Sequence, residues 1–139
     1  MIDYNYETDF LLSSESSFTQ WIEEVISSEG KELGELTYIF CNDEYLLDIN
    51  QQYLKHDDLT DIISFDYTEG NVISGDIFIS IERVADNATD LNIDFEEELK
   101  RVVIHGVLHY CGYKDKSEAD ATLMRSKEDE KIQMFHVKH

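Results

Sequence analysis

Proline is absent from this chain, and neither internal repeats nor low-complexity stretches interrupt it, so nothing marks an internal domain boundary. One domain over residues 1–139 is expected, long enough to bury a real core. Cysteine is scarce: only Cys41 and Cys111 occur, and a disulfide framework is not expected. No long apolar run follows the acidic start Met1-Ile-Asp-Tyr-Asn-Tyr-Glu7. Neither a secretory leader nor a membrane span is therefore expected, and the reading is a cytoplasmic protein with no membrane partner. Positive charge is scarce beside negative, with 11 Lys and Arg against 31 Asp and Glu, a formal net charge of -20. Taken whole, that balance argues against a nucleic-acid partner, because phosphate contacts need lysine and arginine.

The distribution of charge reverses the argument. Residues 1–99 hold 25 acidic and three basic side chains, whereas residues 100–139 hold six acidic and eight basic ones. Lys100, Arg101, Lys114, Lys116, Arg125, Lys127 and Lys131 cluster in that second stretch. A local cationic rim can steer a nucleic acid while the remaining surface repels it. Lys127 and Lys131, beside Glu128 and Glu130, read instead as a solvated helix surface.

With 42% hydrophobic and 12% aromatic residues the composition is globular. Phe18, Trp21, Ile22, Val25 and Ile26 have helical spacing, with Gly30 as a stop. Leu36–Cys41 reads as a buried strand, and Asn42 as the cap of a helix reaching about Tyr53, with Leu46, Ile49 and Tyr53 on one face. Ile62–Tyr67 and Ile73–Ser80 read as a strand pair joined by Glu69-Gly70-Asn71. A helix over 81–90 follows. The next is capped by Asp94, favoured by Glu96, Glu97 and Glu98 in its first turn, and buries Phe95, Leu99, Val102 and Val103. Ser117 with Asp120 resembles a capping pair for a final helix that frays from about His136. The sum is an α+β fold, a small mixed sheet with packed helices.

The chemistry lies in His105-Gly-Val-Leu-His109-Tyr-Cys-Gly-Tyr-Lys-Asp115. Histidines four apart share one helical face, one turn apart, within reach of a single ion. Gly112 can end the helix in a left-handed conformation and turn the chain so that Asp115 approaches the same ion from a loop. One divalent ion, zinc, held by His105, His109 and Asp115 is the expected site. Cys111 lies about 200° round the helix from His109 and reads as a small buried hydrophobe. The spacing is that of the His-Glu-x-x-His helix of zinc peptidases, but the position of the general base is Gly106, which can take no proton. A glycine there costs a helix about 1 kcal/mol relative to alanine, so close approach of backbone or substrate is its expected reason.

These residues resemble the signature His-Gly-x-Leu-His-x-x-Gly-Tyr-x-His of the YbeY-type rRNA maturation factors, which are zinc-dependent endoribonucleases. Thr60-Asp-Ile-Ile-Ser-Phe65 is similar to the Thr-[Asn/Asp]-Val-Leu-Ser-Phe block of that family, and Gly75-Asp-Ile-Phe-Ile79 to its Gly-Asp-Ile-x-Ile strand. The blocks stand in the family's order and span residues 35–125. The resemblance implies a single-strand-specific endoribonuclease acting in 16S rRNA processing and ribosome quality control, with ribosomal RNA as substrate and ribosomal proteins or the small subunit as partners. It departs at two places. Asp115 stands where the family has a third histidine, and Leu54 stands where it has an arginine implied to contact RNA. Lys55 and His56 adjoin that position and, with Arg101 and Lys114, are the candidate substrate-binding residues. Thr60 and Ser64 read as strand-edge hydroxyls serving the backbone, Asp76 as a turn residue, and His136 and His139 as tail residues. A metallopeptidase or amidase, and a non-catalytic ribosome assembly factor with a structural metal, are the alternatives.

Overall fold

A computed structural model describes residues 1–54 and 60–138, and in it a mixed four-stranded sheet carries the packed helices. In chain order the elements are β1 (Ile2–Tyr6), α1 (Glu15–Ser28), β2 (Glu32–Cys41) and α2 (Asp43–Ile49), which runs into a π-helical turn over Asn50–Leu54. There follow β3 (Ile62–Asp66), β4 (Val72–Ser80), α3 (Ile81–Leu91), α4 (Phe95–Tyr110) and α5 (Glu118–Lys138). The strand order is β1-β2-β4-β3; β1, β2 and β4 are parallel, and β3 closes one edge antiparallel to β4. The expected α+β architecture is the one observed. No helix among the described residues is long and apolar enough to cross a membrane.

Local chemistry accounts for most boundaries. Ser14 and Ser80 accept the backbone N–H groups of Ser17 and Arg83 and so cap α1 and α3, and Asn92 closes α3 in the left-handed region at φ 57°. Asn42 caps α2 as expected, taking the Tyr45 N–H at 2.9 Å. Ser117 accepts the Asp120 N–H at 3.0 Å at the head of α5. Asp94 occupies the cap position of α4 but makes no side-chain cap bond, so the acidic first turn alone serves that terminus.

Several elements differ from the sequence reading. Ile2–Tyr6 is a parallel edge strand that the reading omits, because its alternation is carried by tyrosines rather than aliphatics. Tyr4 and Tyr6 stack on Tyr38 and Phe40 of β2 at centroid separations of 5.9 and 5.6 Å. β2 begins at Glu32, ahead of the expected Leu36, with its register to β4 shifted between Leu33 and Leu36. The helix expected to reach Tyr53 in one phase instead changes to π geometry at Asn50. The wider turn takes Tyr53 off the buried face that holds Leu46. At the other end α5 runs to Lys138, and His136, read as a tail residue, has its Nε2 2.7 Å from Glu97 Oε1.

The core lies between one face of the sheet and helices α1, α4 and α5. Trp21, fully buried, packs edge-on against Phe18 and Phe135 and donates its indole N–H to the Lys131 carbonyl at 2.7 Å, tying α1 to α5. Helix α4 comes so close to the sheet that no side chain fits at Gly75: a Cβ there would sit 2.5 Å from both the Phe65 carbonyl oxygen and the Tyr110 hydroxyl. That hydroxyl donates to the carbonyl of Phe65 at 2.9 Å and also lies 3.2 Å from that of Asp76. Gly75→Ala should therefore destabilise the protein by about 1–3 kcal/mol through overpacking, measured by denaturant unfolding. An unchanged midpoint would show that the helix can lift without loss.

Candidate metal centre

His105 and His109 project from one side of α4, and their rings meet edge-on with centroids 4.5 Å apart. The helix then ends at Gly112, whose φ of 108° is open to glycine at little cost. The Gly112 N–H reaches the His109 carbonyl and the Tyr113 N–H reaches the Leu108 carbonyl, a paired closure that reverses the chain. Three residues later Asp115 Oδ2 lies 3.2 Å from His105 Nε2 and 3.4 Å from His109 Nε2. All three donor atoms fall within 4.8 Å of one another. Two imidazole nitrogens and one carboxylate oxygen are a donor set suited to zinc, and among the described residues three protein donors converge.

Both rings are held through the nitrogen that faces away from Asp115. His105 Nδ1 is 2.6 Å from Glu128 Oε2, and His109 Nδ1 is 2.9 Å from the Tyr113 carbonyl. Since the carbonyl can only accept, Nδ1 of His109 is the donor of this bond, which leaves Nε2 as the nitrogen that would ligate a metal. Glu128, buried on α5, also accepts from Arg101 Nη1 at 3.0 Å, and Arg101 Nη2 reaches Asp129 at 2.8 Å. Burial opposes charge on His105, yet the bond to Glu128 and the charges of Glu128, Asp115 and Asp61 outweigh it, so its pKa lies above the ordinary histidine value.

A cleft of about 350 Å³ opens beside His105 and Asp115, lined also by Thr60, Asp61, Glu98, Arg101, Arg125 and Glu128. Burial pushes the carboxyls of Asp61 and Glu98 above the usual range. Glu98 Oε1 is buried without a hydrogen-bond partner among the described residues. The sequence reading omits Asp61, Glu98 and Glu128 from the site. A signal for two of them exists: Glu98 lies seven residues before His105 on the same helical face, and Glu128 falls in the buried stripe Met124, Glu128, Lys131, Ile132 of α5.

The other candidates divide. Arg101 lines the cleft with its guanidinium engaged by Glu128 and Asp129, whereas Lys114 is exposed on the loop before Asp115. Lys55 and His56 lie outside the described residues, as does His139. Thr60 donates to the Ile62 carbonyl at 3.3 Å. Lys131 is not a solvated surface residue: it is buried, 2.8 Å from Glu29 and from Glu130, and Lys127 shares Glu29 at 3.7 Å. Cys111 packs against the core with its thiol pushed up to about 11 by burial, consistent with a hydrophobe rather than a ligand. Gly106 faces the sheet and not the ion: a Cβ there would meet Ile77 Cδ1 at 2.9 Å and Ile62 Cδ1 at 3.3 Å.

Residues 3–136 match the family described as Endoribonuclease YbeY. The chain is 71% identical over 137 residues to the Endoribonuclease YbeY of Flavobacterium johnsoniae, covering 99% of each. It is 57% identical over 136 residues to that of Christiangramia forsetii, covering 98% of this chain and 95% of the relative. The solution structure of TM1509 from Thermotoga maritima is similar with a TM-score of 0.70 at 26% identity, over 97% of this chain and 89% of that one.

In the metal-free protein, NMR titration should place the His105 midpoint above the ordinary histidine value of about 6.5. The stabilisation involved is complete below the unfolded-state pKa and is lost as pH rises through the folded one. Glu128→Ala should lower that midpoint and weaken metal binding by about 10–100-fold in chelator competition, as loss of an outer-shell carboxylate does elsewhere. Unchanged values for both would mean that the ring is oriented without Glu128.

Proposed function

The chain belongs to the YbeY endoribonuclease family, and from that premise we propose that it is a zinc-dependent, single-strand-specific endoribonuclease of 16S rRNA maturation and ribosome quality control. One observation carries the reading: His105 Nε2, His109 Nε2 and Asp115 Oδ2 converge at the edge of an open cleft. When bound there, zinc supplies Lewis acidity for a phosphodiester oxygen and brings the pKa of a water toward about 7. With two neutral donors and one carboxylate, His105, His109 and Asp115 would leave a bound divalent ion a net positive charge toward the phosphoryl oxygens.

The remaining work falls to side chains. Glu128 and the Tyr113 carbonyl hold the imidazoles so that Nε2 of each faces Asp115, where the ion would be held. Asp61 lines the same cleft and has a carboxyl that burial makes more basic, which suits it to accept the proton of the attacking water. Lys114 and Arg125 are the exposed cations beside the cleft and are assigned to RNA phosphates. Arg101 contributes through Glu128 instead. Ribosomal RNA is then the substrate, met on the small subunit.

Two alternatives lose ground on particular residues. A peptidase of the two-histidine helix type needs a carboxylate at position 106, and that position is packed against Ile77 and Ile62. A structural zinc is normally closed by four protein ligands, and among the described residues three converge.

Protein purified without an affinity tag should contain one zinc per chain and cleave single-stranded RNA, and chelator should abolish the cleavage. His105→Ala and His109→Ala should each lose most of the metal; full occupancy in both would refute the site. Asp115→His should retain metal where Asp115→Ala loses affinity. Asp61→Asn should keep the metal while single-turnover cleavage falls by about 10²–10⁴-fold. In the wild type the rate should decline as pH drops through the raised Asp61 pKa, a limb absent from Asp61→Asn.

A further inference from the structure

Within the motif loop, Tyr113 faces two ways. Its carbonyl accepts from His109 Nδ1 at 2.9 Å, while its ring packs against the core and its hydroxyl donates to Glu29 Oε1 at 2.7 Å. Glu29 is 84 residues away in the chain, so only the packed fold brings the two together.

Glu29 is itself fixed from several sides. It stands directly after α1, and its backbone N–H closes that helix onto the Val25 and Ile26 carbonyls at 3.2 Å each. Its second oxygen, Oε2, lies 2.8 Å from Lys131 Nζ and 3.7 Å from Lys127 Nζ. Lys131 is 2% exposed and is held further by Ser28 Oγ at 3.0 Å and by Glu130 at 2.8 Å. Lys127 Nζ also sits 5.6 Å from the centre of the Tyr113 ring. Because the Trp21 indole bonds the Lys131 carbonyl, the carboxylate and its lysines belong to two helices already tied together.

The loop needs such a brace. At φ 108° Gly112 turns the chain at little cost, and the same freedom leaves the direction of the following residues unset. Lys114, Asp115 and Lys116 are exposed, and among residues 112–116 Tyr113 is the one whose side chain packs against the core. Burial would raise the Glu29 carboxyl, yet Lys131 and Tyr113 hold it below the usual range, so the hydroxyl meets a charged acceptor, which makes the bond a strong one. Fixing Tyr113 fixes the carbonyl that orients His109 and, two residues on, the approach of Asp115.

We propose that Glu29, acting through the Tyr113 hydroxyl, is a positioning residue of the metal centre, holding the motif loop so that His109 presents Nε2 and Asp115 meets both rings. The inference rests on the reading of His105, His109 and Asp115 as ligands, but one of its readouts needs no metal.

Tyr113→Phe removes the hydroxyl and keeps the ring. Its zinc affinity in chelator competition should fall by about tenfold. Tyr6→Phe removes a like bond, 2.6 Å to Glu15 at the other end of α1, and should leave the affinity within about twofold. Glu29→Ala leaves Lys131 with Glu130 as partner and should match Tyr113→Phe; the double variant should lose no more than either, since both act on one path. In metal-free protein, at a pH where the rings are neutral, ring nitrogen chemical shifts should show His109 protonated on Nδ1 in the wild type and a mixture of tautomers in Tyr113→Phe. Undiminished zinc affinity or an unchanged tautomer in Tyr113→Phe, an equal loss in Tyr6→Phe, or additive losses in the double variant would overturn the proposal. A wild type that binds no zinc, yet holds the Nδ1 tautomer and loses it in Tyr113→Phe, would support the brace and refute the metal reading.

Discussion

Helix α4 has to lie very close to the sheet on one side while holding two histidines toward a cleft on the other, and the rest of the structure is arranged around that demand. Two contacts set the distance. At Gly106 the helix backbone rests against Ile77 and Ile62, and a turn later the Tyr110 hydroxyl reaches past Gly75 to the carbonyls of Phe65 and Asp76. With the helix seated, the reversal at Gly112 delivers Asp115 to both rings, and α5 crosses near enough for Glu128 to reach His105. A helix riding higher on larger residues would move all three donors relative to the β3 start that lines the cleft.

Electrostatics make a second organising constraint. A chain with a formal charge of -20 has few cations, and the structure uses several of them internally. Arg83 joins α3 to α2 through Asp43, Arg101 joins α4 to α5 through Glu128 and Asp129, and Lys131 meets Glu29, just past the end of α1, from within the core. Asp43 and Glu29 respond in the expected sense: burial would raise both carboxyls, yet their basic and hydroxyl partners hold them below the usual carboxylate range. What is left for an RNA backbone is a small set around the motif loop and the exposed side of α5.

How much of this was legible in the chain depends on the range of the interaction concerned. The His105/His109 pair, the reversal at Gly112 and the approach of Asp115 are consequences of helical period and one glycine, and all three were readable. So were the Asn42 and Ser117 caps, since a cap and its partner are three residues apart, while those at Ser14 and Ser80 went unread. Asp94 was misread in detail because nothing local says whether a cap side chain turns inward to its helix. β1 escaped because tyrosines stacked on a neighbouring strand look, in sequence, like an acidic polar tail. The phase change at Asn50 escaped because period-3.6 reasoning assumes that a helix keeps its period.

By itself, then, the sequence determined the chemistry of the site, since donor type and spacing within eleven residues are properties of a local helix and the loop that follows it. Tertiary structure decided what each donor is held by and which cations remain for a substrate. Glu128 is 23 residues from His105 along the chain, and Arg101, counted by sequence as a member of a cationic rim, is committed to the same carboxylate once α4 and α5 cross. The reason is physical: a backbone of given period places residues three or four apart without help, whereas a bond between two helices exists only after both have been packed on the same sheet.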